Sequence, residues 1–170
     1  MDPDELLNQA RRLATSVGIG PADADLRRAV SAAYYAVFHM LVGDAAAQAA
    51  PSGMVALQVI IRRAISHAQV MKACEMFSRP LERMPEALRH ALGNPPSADL
   101  VAIARALPEL QEARHRADYD WSAWFIKTEV LDFITLAEET KARWLRIQQT
   151  PEAAVFLTAI LLGDKFGRRG

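Results

Sequence analysis

A chain of 170 residues, 51% hydrophobic and 24% charged, has the length for one well-buried domain and a composition too apolar for a disordered segment. Twenty basic residues balance twenty acidic ones, so no global field draws a polyanion to this protein and any phosphate or nucleic-acid site must be local. The single cysteine, Cys74, excludes an intrachain disulfide and points to a reducing compartment.

Met1-Asp2-Pro3-Asp4-Glu5 is acidic where a secretory signal would be basic. The longest apolar run, 153–162, is interrupted by Thr158 and falls well short of the roughly 20 residues that span a bilayer. These features predict a cytoplasmic protein with no membrane partner.

Eight glycines and nine prolines fall mainly at seams between long stretches of helical spacing, with no period-2 alternation that would mark strands. Asp2 followed by Pro3 predicts an N-cap and first turn for a helix to about residue 16, stopped by Val17-Gly18-Ile19-Gly20-Pro21. A second helix over 23–42 carries an apolar face of Leu26, Ala29, Val30, Ala33, Val37, Met40 and Leu41, flanked by Tyr34 and Phe38. At about 1.5 Å per residue it forms a central rod about 30 Å long. Residues 43–54 are Ala-rich and read either as a loop or as a frayed extension of that helix. A third helix over 55–77 aligns Ile60, Ala64, His67, Met71 and Cys74 along one stripe. Four prolines and Gly93-Asn94 make 78–96 an irregular connection with one helical turn near 85–91. Ser97 caps the next helix, which Pro108 kinks or restarts before its pattern ends at Ala117. Thr128 is the predicted cap of a helix over 129–147, its inner face Val130, Phe133, Ile134, Ala137 and Trp144. Thr150-Pro151-Glu152 starts a last helix to 162, followed by a loose tail, 163–170. With no internal repeat and no dividing linker, the chain is predicted to be a single all-α antiparallel helical bundle with four to five main helices.

No metal site or cofactor is predicted: His39, His67, His90 and His115 are scattered, Cys74 has no partner at ligand spacing, and Gly-rich phosphate loops are absent. His67 and Cys74 read as a hydrogen-bonded core histidine and an inert buried thiol. Tyr35 and His39, one helical turn apart, are candidates to line a pocket. The densest chemistry is Arg114-His115-Arg116-Ala117-Asp118-Tyr119-Asp120-Trp121. Arginine forks suit phosphate oxygens, which makes Arg114 and Arg116 candidate phosphate ligands with Asp118 beside them. The plainer account is a helix end whose cations complement the dipole, with Arg116 and Asp120 as an ordinary i,i+4 pair and Tyr119 about 140° around from Arg114.

Two stretches together resemble a known family. Leu26-Arg27-Arg28-Ala29-Val30-Ser31-Ala32-Ala33-Tyr34-Tyr35-Ala36-Val37-Phe38-His39 resembles the second-helix signature of HEPN (higher eukaryotes and prokaryotes nucleotide-binding) domains. Arg114-His115-Arg116-Ala117-Asp118-Tyr119 resembles the R-x-x-A-D-Y signature of one branch of that superfamily, and the resemblance covers 23–148. It implies a helical bundle paired as a homodimer. It implies either metal-independent RNA cleavage through an Arg-x4-6-His motif, or RNA or nucleotide binding without cleavage. It also implies a possible nucleotidyltransferase partner in a toxin–antitoxin pair. The catalytic spacing from Arg114 lands on Tyr119, Asp120 and Trp121, none of them histidine. Tyr119 holds the place of the motif histidine, and a phenol with a pKa near 10 shuttles protons poorly at neutral pH, where an imidazole near 6.5 is well matched. Arg62 to His67 and Arg83 to His90 satisfy the bare pattern outside its expected place. The resulting expectation is an RNA- or nucleotide-phosphate-binding protein with little nuclease activity. If it does cleave RNA, Arg114, His115 and Tyr119 are the expected catalytic group.

Overall fold

The computed structural model describes residues 2–16, 22–163 and 165. Among them are eight α-helices, one 3-10 turn and no strand, an all-α helical bundle as the hydrophobic periodicity predicts. The helices are α1 (Pro3–Ala14), α2 (Asp23–Ala49), α3 (Val55–Ala64), α4 (His67–Phe77), α5 (Glu86–Leu92), α6 (Ala98–Tyr119), α7 (Lys127–Ile147) and α8 (Pro151–Leu162), with the 3-10 turn at Leu81–Arg83. No helix among the described residues is long and apolar enough to cross a membrane. The chain divides into two compact units: Met1–Met40 with Ala106–Ala142, and Leu41–Arg105 with Arg143–Gly170. Helices α2, α6 and α7 each contribute a segment to both.

Three helix starts follow from side chains that satisfy otherwise orphaned backbone donors. Asp2 accepts from the Asp4 N–H at 2.9 Å, Ser97 from Leu100 at 3.2 Å and Thr150 from Ala153 at 3.3 Å. Other boundaries differ from the sequence reading. Helix α2 runs seven residues past 42, because Ala45, Ala46 and Ala47 are the strongest helix formers and carry it through Gly43 until Pro51 ends the pattern. The helix predicted over 55–77 is two. Ile65 is extended, and Ser66 starts α4 with a capping box in which its hydroxyl accepts from the Gln69 N–H and the Gln69 side chain accepts from the Ser66 N–H. The predicted stripe is therefore broken: Ile60 is 63% exposed, His67 is half-buried rather than in the core, and Cys74 is fully buried. Helix α6 passes through Pro108 without interruption and ends at Tyr119, two residues beyond the predicted end. Helix α7 begins at Lys127, so Thr128 lies inside it rather than capping it. The Gly/Pro stretch 17–21, and tail residues 164 and 166–170, lie outside the described residues.

In the first unit, the predicted face of α2 from Leu26 to Met40 is buried, as are Leu7 and Ala10 of α1, Leu107, Leu110 and Ala113 of α6, and Val130, Ile134 and Ala137 of α7. Arg11 donates to Glu138 and Lys141 pairs with Asp4, so α1 is pinned along α7. The second unit has an aromatic centre. The Phe156 ring lies 5.1 Å from that of Phe77, edge to face, and 6.1 Å from that of Trp144. The fully buried Trp144 indole donates to Asp44 Oδ2 at 2.6 Å. Gly163 ends α8 at φ 53°, and a Cβ there would lie 2.8 Å from Gln69 Cγ, so glycine alone fits this close approach to α4.

Trp144→Ala is expected to lower stability by about 3–5 kcal/mol, read as a lower urea midpoint at unchanged m. A wild-type midpoint would contradict this assignment of the core. Burial also pushes the Cys74 thiol up to about 12. The unfolded chain, with a thiol near 8.5, loses that proton first. The contribution of Cys74 to stability is therefore complete below about pH 8.5 and is lost as pH rises toward 12. Native protein at pH 8 should be inert to a thiol reagent that titrates one thiol after denaturation. Rapid native labelling would show that the site opens.

Candidate functional site

Arg27, Ser31, Tyr35 and His39 recur every fourth residue on α2 and so form one stripe along the helix. That stripe meets the end of α6 in reverse order. Arg27 reaches Ala117 and Asp120, Ser31 reaches Asp118, and Tyr35 reaches Arg114, which makes these segments antiparallel.

Arg114 is the centre of the contact. Its Nη2 donates to the Tyr35 hydroxyl at 3.0 Å and to the Tyr119 hydroxyl at 3.4 Å. Its guanidinium lies over both rings, 5.5 Å from the Tyr35 centroid and 5.2 Å from that of Tyr119. Nε is 2.7 Å from Asp118 Oδ2, close enough to pair by charge, although its N–H is not aimed at an acceptor. Only 16% of this side chain is exposed. Burial disfavours the charge, but Tyr35, Asp118 and Tyr119 outweigh it and raise the Arg114 pKa above its ordinary value. The other oxygen of Asp118 accepts from Ser31 Oγ at 2.6 Å. The 140° expected between Arg114 and Tyr119 is bridged because long helical side chains lean back toward the N-terminus, bringing the phenol over the preceding turn.

Arg27 closes the end of α6. Its Nη1 donates to the carbonyls of Ala117 (3.1 Å) and Asp120 (2.9 Å), its Nη2 to that of Ala123, and its Nε to Asp23 at 2.6 Å. Its guanidinium also lies 5.6 Å from the buried Phe125 ring. Helix C-terminal carbonyls lack intrahelical donors, and here a side chain from α2 supplies them. Asp120 accepts from the N–H of Ser122 at 2.9 Å and its hydroxyl at 2.6 Å, which holds its carboxyl below the usual range. Arg116 turns toward Glu129 at 3.5 Å and over the Phe125 ring at 5.2 Å. The predicted Arg116–Asp120 pair therefore gives way to Arg116–Glu129, with Asp120 held by Ser122.

Arg28, Ser31, Tyr35 and His39 of α2 line a pocket of about 320 Å3 together with Asp118 of α6. Leu6 and Gln9 of α1 close one side. The rings of Tyr35 and His39 stack there at 5.7 Å and 20°. A wider hollow of about 490 Å3 is lined by residues of α1 alone and brings no converging groups from other elements. Of the residues singled out in the sequence, Tyr35, His39 and Asp118 line the pocket, while Arg114 and Tyr119 adjoin it through hydrogen bonds. His115 and Arg116 do not line it. His115 is exposed on α6, its ring 5.1 Å from that of Tyr119.

Arg27, Arg28 and Ser31 are not among the candidate site residues that the sequence singles out. Their spacing from Tyr35 and His39 was the available signal. Arg28 makes no ion pair with any described residue, unlike Arg27, Arg114 and Arg116. Among the described residues no group of three or more His, Cys, Asp or Glu side chains is placed to hold a metal ion. Compared with known proteins, the chain matches no family model, no curated protein and no solved structure.

Arg27→Ala should destabilise the protein by roughly 1.5–3 kcal/mol by leaving helix-end carbonyls without their charged donor. It should also accelerate amide exchange over 120–125, with Arg27→Lys restoring only part because one ammonium lacks the fork of a guanidinium. Wild-type exchange in the alanine variant would show that the loop is held by something else.

Proposed function

We propose that the pocket at Arg28 binds a phosphate of RNA or of a nucleotide, in a cytoplasmic HEPN-type protein that acts as a homodimer and has little or no nuclease activity. The observation that carries this reading is the guanidinium of Arg28, which has no ion pair among the described residues, beside Ser31, Tyr35 and His39 in a pocket of about 320 Å3. That size lies at the lower end of small-ligand sites, and a cation with no carboxylate partner among the described residues leaves a local positive charge in a chain of zero net charge. Ser31 and Tyr35 add hydroxyls, and Asp118 can accept from a ribose hydroxyl. Arg114 stands behind Tyr35 and Asp118 as their brace.

Binding without cleavage follows from acid–base chemistry. Tyr119 holds the place where the family motif has histidine, and its hydroxyl faces Arg114 at 3.4 Å. A phenol does not carry a proton to and from a ribose hydroxyl as efficiently at neutral pH as an imidazole does. One observation favours cleavage as a second reading: His39 lines the same pocket as Arg28 and has an imidazole suited to that task.

RNA incubated in excess chelator distinguishes the two. The binding reading expects no products from wild type and cleavage by Tyr119→His. The second expects products ending in 2′,3′-cyclic phosphate or 3′-phosphate, lost in His39→Ala. Arg28→Ala and Arg114→Ala should each weaken binding of a short RNA about tenfold or more. The slope of log K against log salt should flatten by about 0.7 for each phosphate contact removed. Unchanged affinity in a folded Arg28→Ala protein would remove the site.

A further inference from the structure

Between α6 and α7 the chain exposes aromatic surface that the pocket does not use. Trp121 is 97% exposed, Trp124 75%, Tyr119 60% and Ile126 54%. Scattered exposed apolar residues need no explanation, but two indoles and a phenol exposed within six residues of one loop and helix end are a concentration of the kind found at interaction sites. The loop carrying them is held in place. Arg27 fixes the carbonyls of Asp120 and Ala123, Asp120 is bonded by Ser122, and Phe125 is buried under the guanidinia of Arg27 and Arg116. An aromatic surface on a pre-ordered loop loses little conformational freedom when something stacks on it.

The charges around it are mixed, three bases and three carboxylates from Arg114 to Glu129. Asp118 pairs with Arg114 and Glu129 with Arg116, while Asp120, hydrogen-bonded by Ser122, keeps its negative charge. Lys127, next to Ile126, has no carboxylate partner among the described residues, and neither does Arg28 in the pocket. Flat π faces interleaved with available cations suit a polyanion whose bases are open to stacking. The connection to the pocket is direct along the chain. Asp118 lines the pocket and Tyr119 follows it, while consecutive Arg27 and Arg28, about 100° apart on α2, respectively brace the loop and line the pocket.

We propose that Trp121 and Trp124 are a stacking platform for unpaired nucleobases, and that the ligand is single-stranded RNA longer than one nucleotide with a phosphate in the Arg28 pocket. This proposal rests on the phosphate reading of that pocket. Every base offers a π face, so the platform is tolerant of sequence, and a base-paired strand, whose bases are stacked on one another, cannot use it.

The test titrates the full chain with adenosine monophosphate, a short oligoadenylate and a blunt-ended RNA duplex, following tryptophan fluorescence and the anisotropy of labelled RNA. Oligoadenylate should quench the two exposed indoles. Trp121→Ala and Trp124→Ala should each weaken its binding by about fivefold or more, with Trp→Phe at either position retaining most of it. Binding of the monophosphate should not change in either alanine variant, and the duplex should bind no more tightly than the monophosphate. Both alanine variants binding oligoadenylate like wild type, while Arg28→Ala still loses the monophosphate, would overturn the platform and leave the pocket standing. Failure of wild type to bind either monophosphate or oligoadenylate would overturn the pocket and the platform together. A change in the sedimenting mass of the double alanine variant, with RNA binding intact, would identify the patch as a protein interface instead and overturn the proposal.

Discussion

A guanidinium held between two phenols organises the candidate site. Arg114 is brought to 16% exposure at the end of α6, where a bare charge would be heavily penalised, and each neighbour is a response to that charge. Tyr35 and Tyr119 supply oxygens and π faces, Asp118 supplies the counter-charge, and Ser31 orients Asp118 from α2. The result couples α2 to α6 through side chains that need one another. Removing one partner leaves the others badly matched, so the effects of substitution within this group should not add.

That coupling separates the arginines by role. Arg27, Arg114 and Arg116 each have carboxylate partners and lie against aromatic rings, which makes them structural cations. Arg28 is the pocket cation with no such partner among the described residues. A motif-based view places function on Arg114 because the pattern contains it. A view based on charge balance places the anion at Arg28 and gives Arg114 the work of shaping the wall. The two views meet at Tyr35 and Asp118, which touch both.

Much of the fold was legible in the sequence. Asp2-Pro3, Ser97 and Thr150-Pro151 announced helix starts because the caps are local chemistry, and the face of α2 from Leu26 to Leu41 was read from its period. The errors also have local causes. For 43–54 the sequence left loop and helix extension both open, since Ala45, Ala46 and Ala47 favour helix while Gly43 and Pro51 oppose it, and the structure continues α2 to Ala49. Ser66-x-x-Gln69 is a capping box whose signal was present but hidden within an apolar run. That Tyr35 and His39 line a pocket was legible from their one-turn spacing, and Asp118, singled out with the Arg114 stretch, lines it too. Arg28 and the bracing role of Arg27 were not legible, because which of two adjacent arginines finds a carboxylate depends on tertiary contacts. The Arg116–Asp120 pair was displaced for the same reason, since α7 offers Glu129 and the loop offers Ser122.

The central claim, an anion at Arg28, is tested most directly by NMR titration of the labelled full chain with adenosine monophosphate. The account predicts saturable shifts of the Arg28 side-chain Nε–H and of resonances from Ser31, Tyr35 and His39, with those of Trp144 in the second unit unmoved. Saturable shifts confined to other residues, or none at these four while the nucleotide binds, would contradict it.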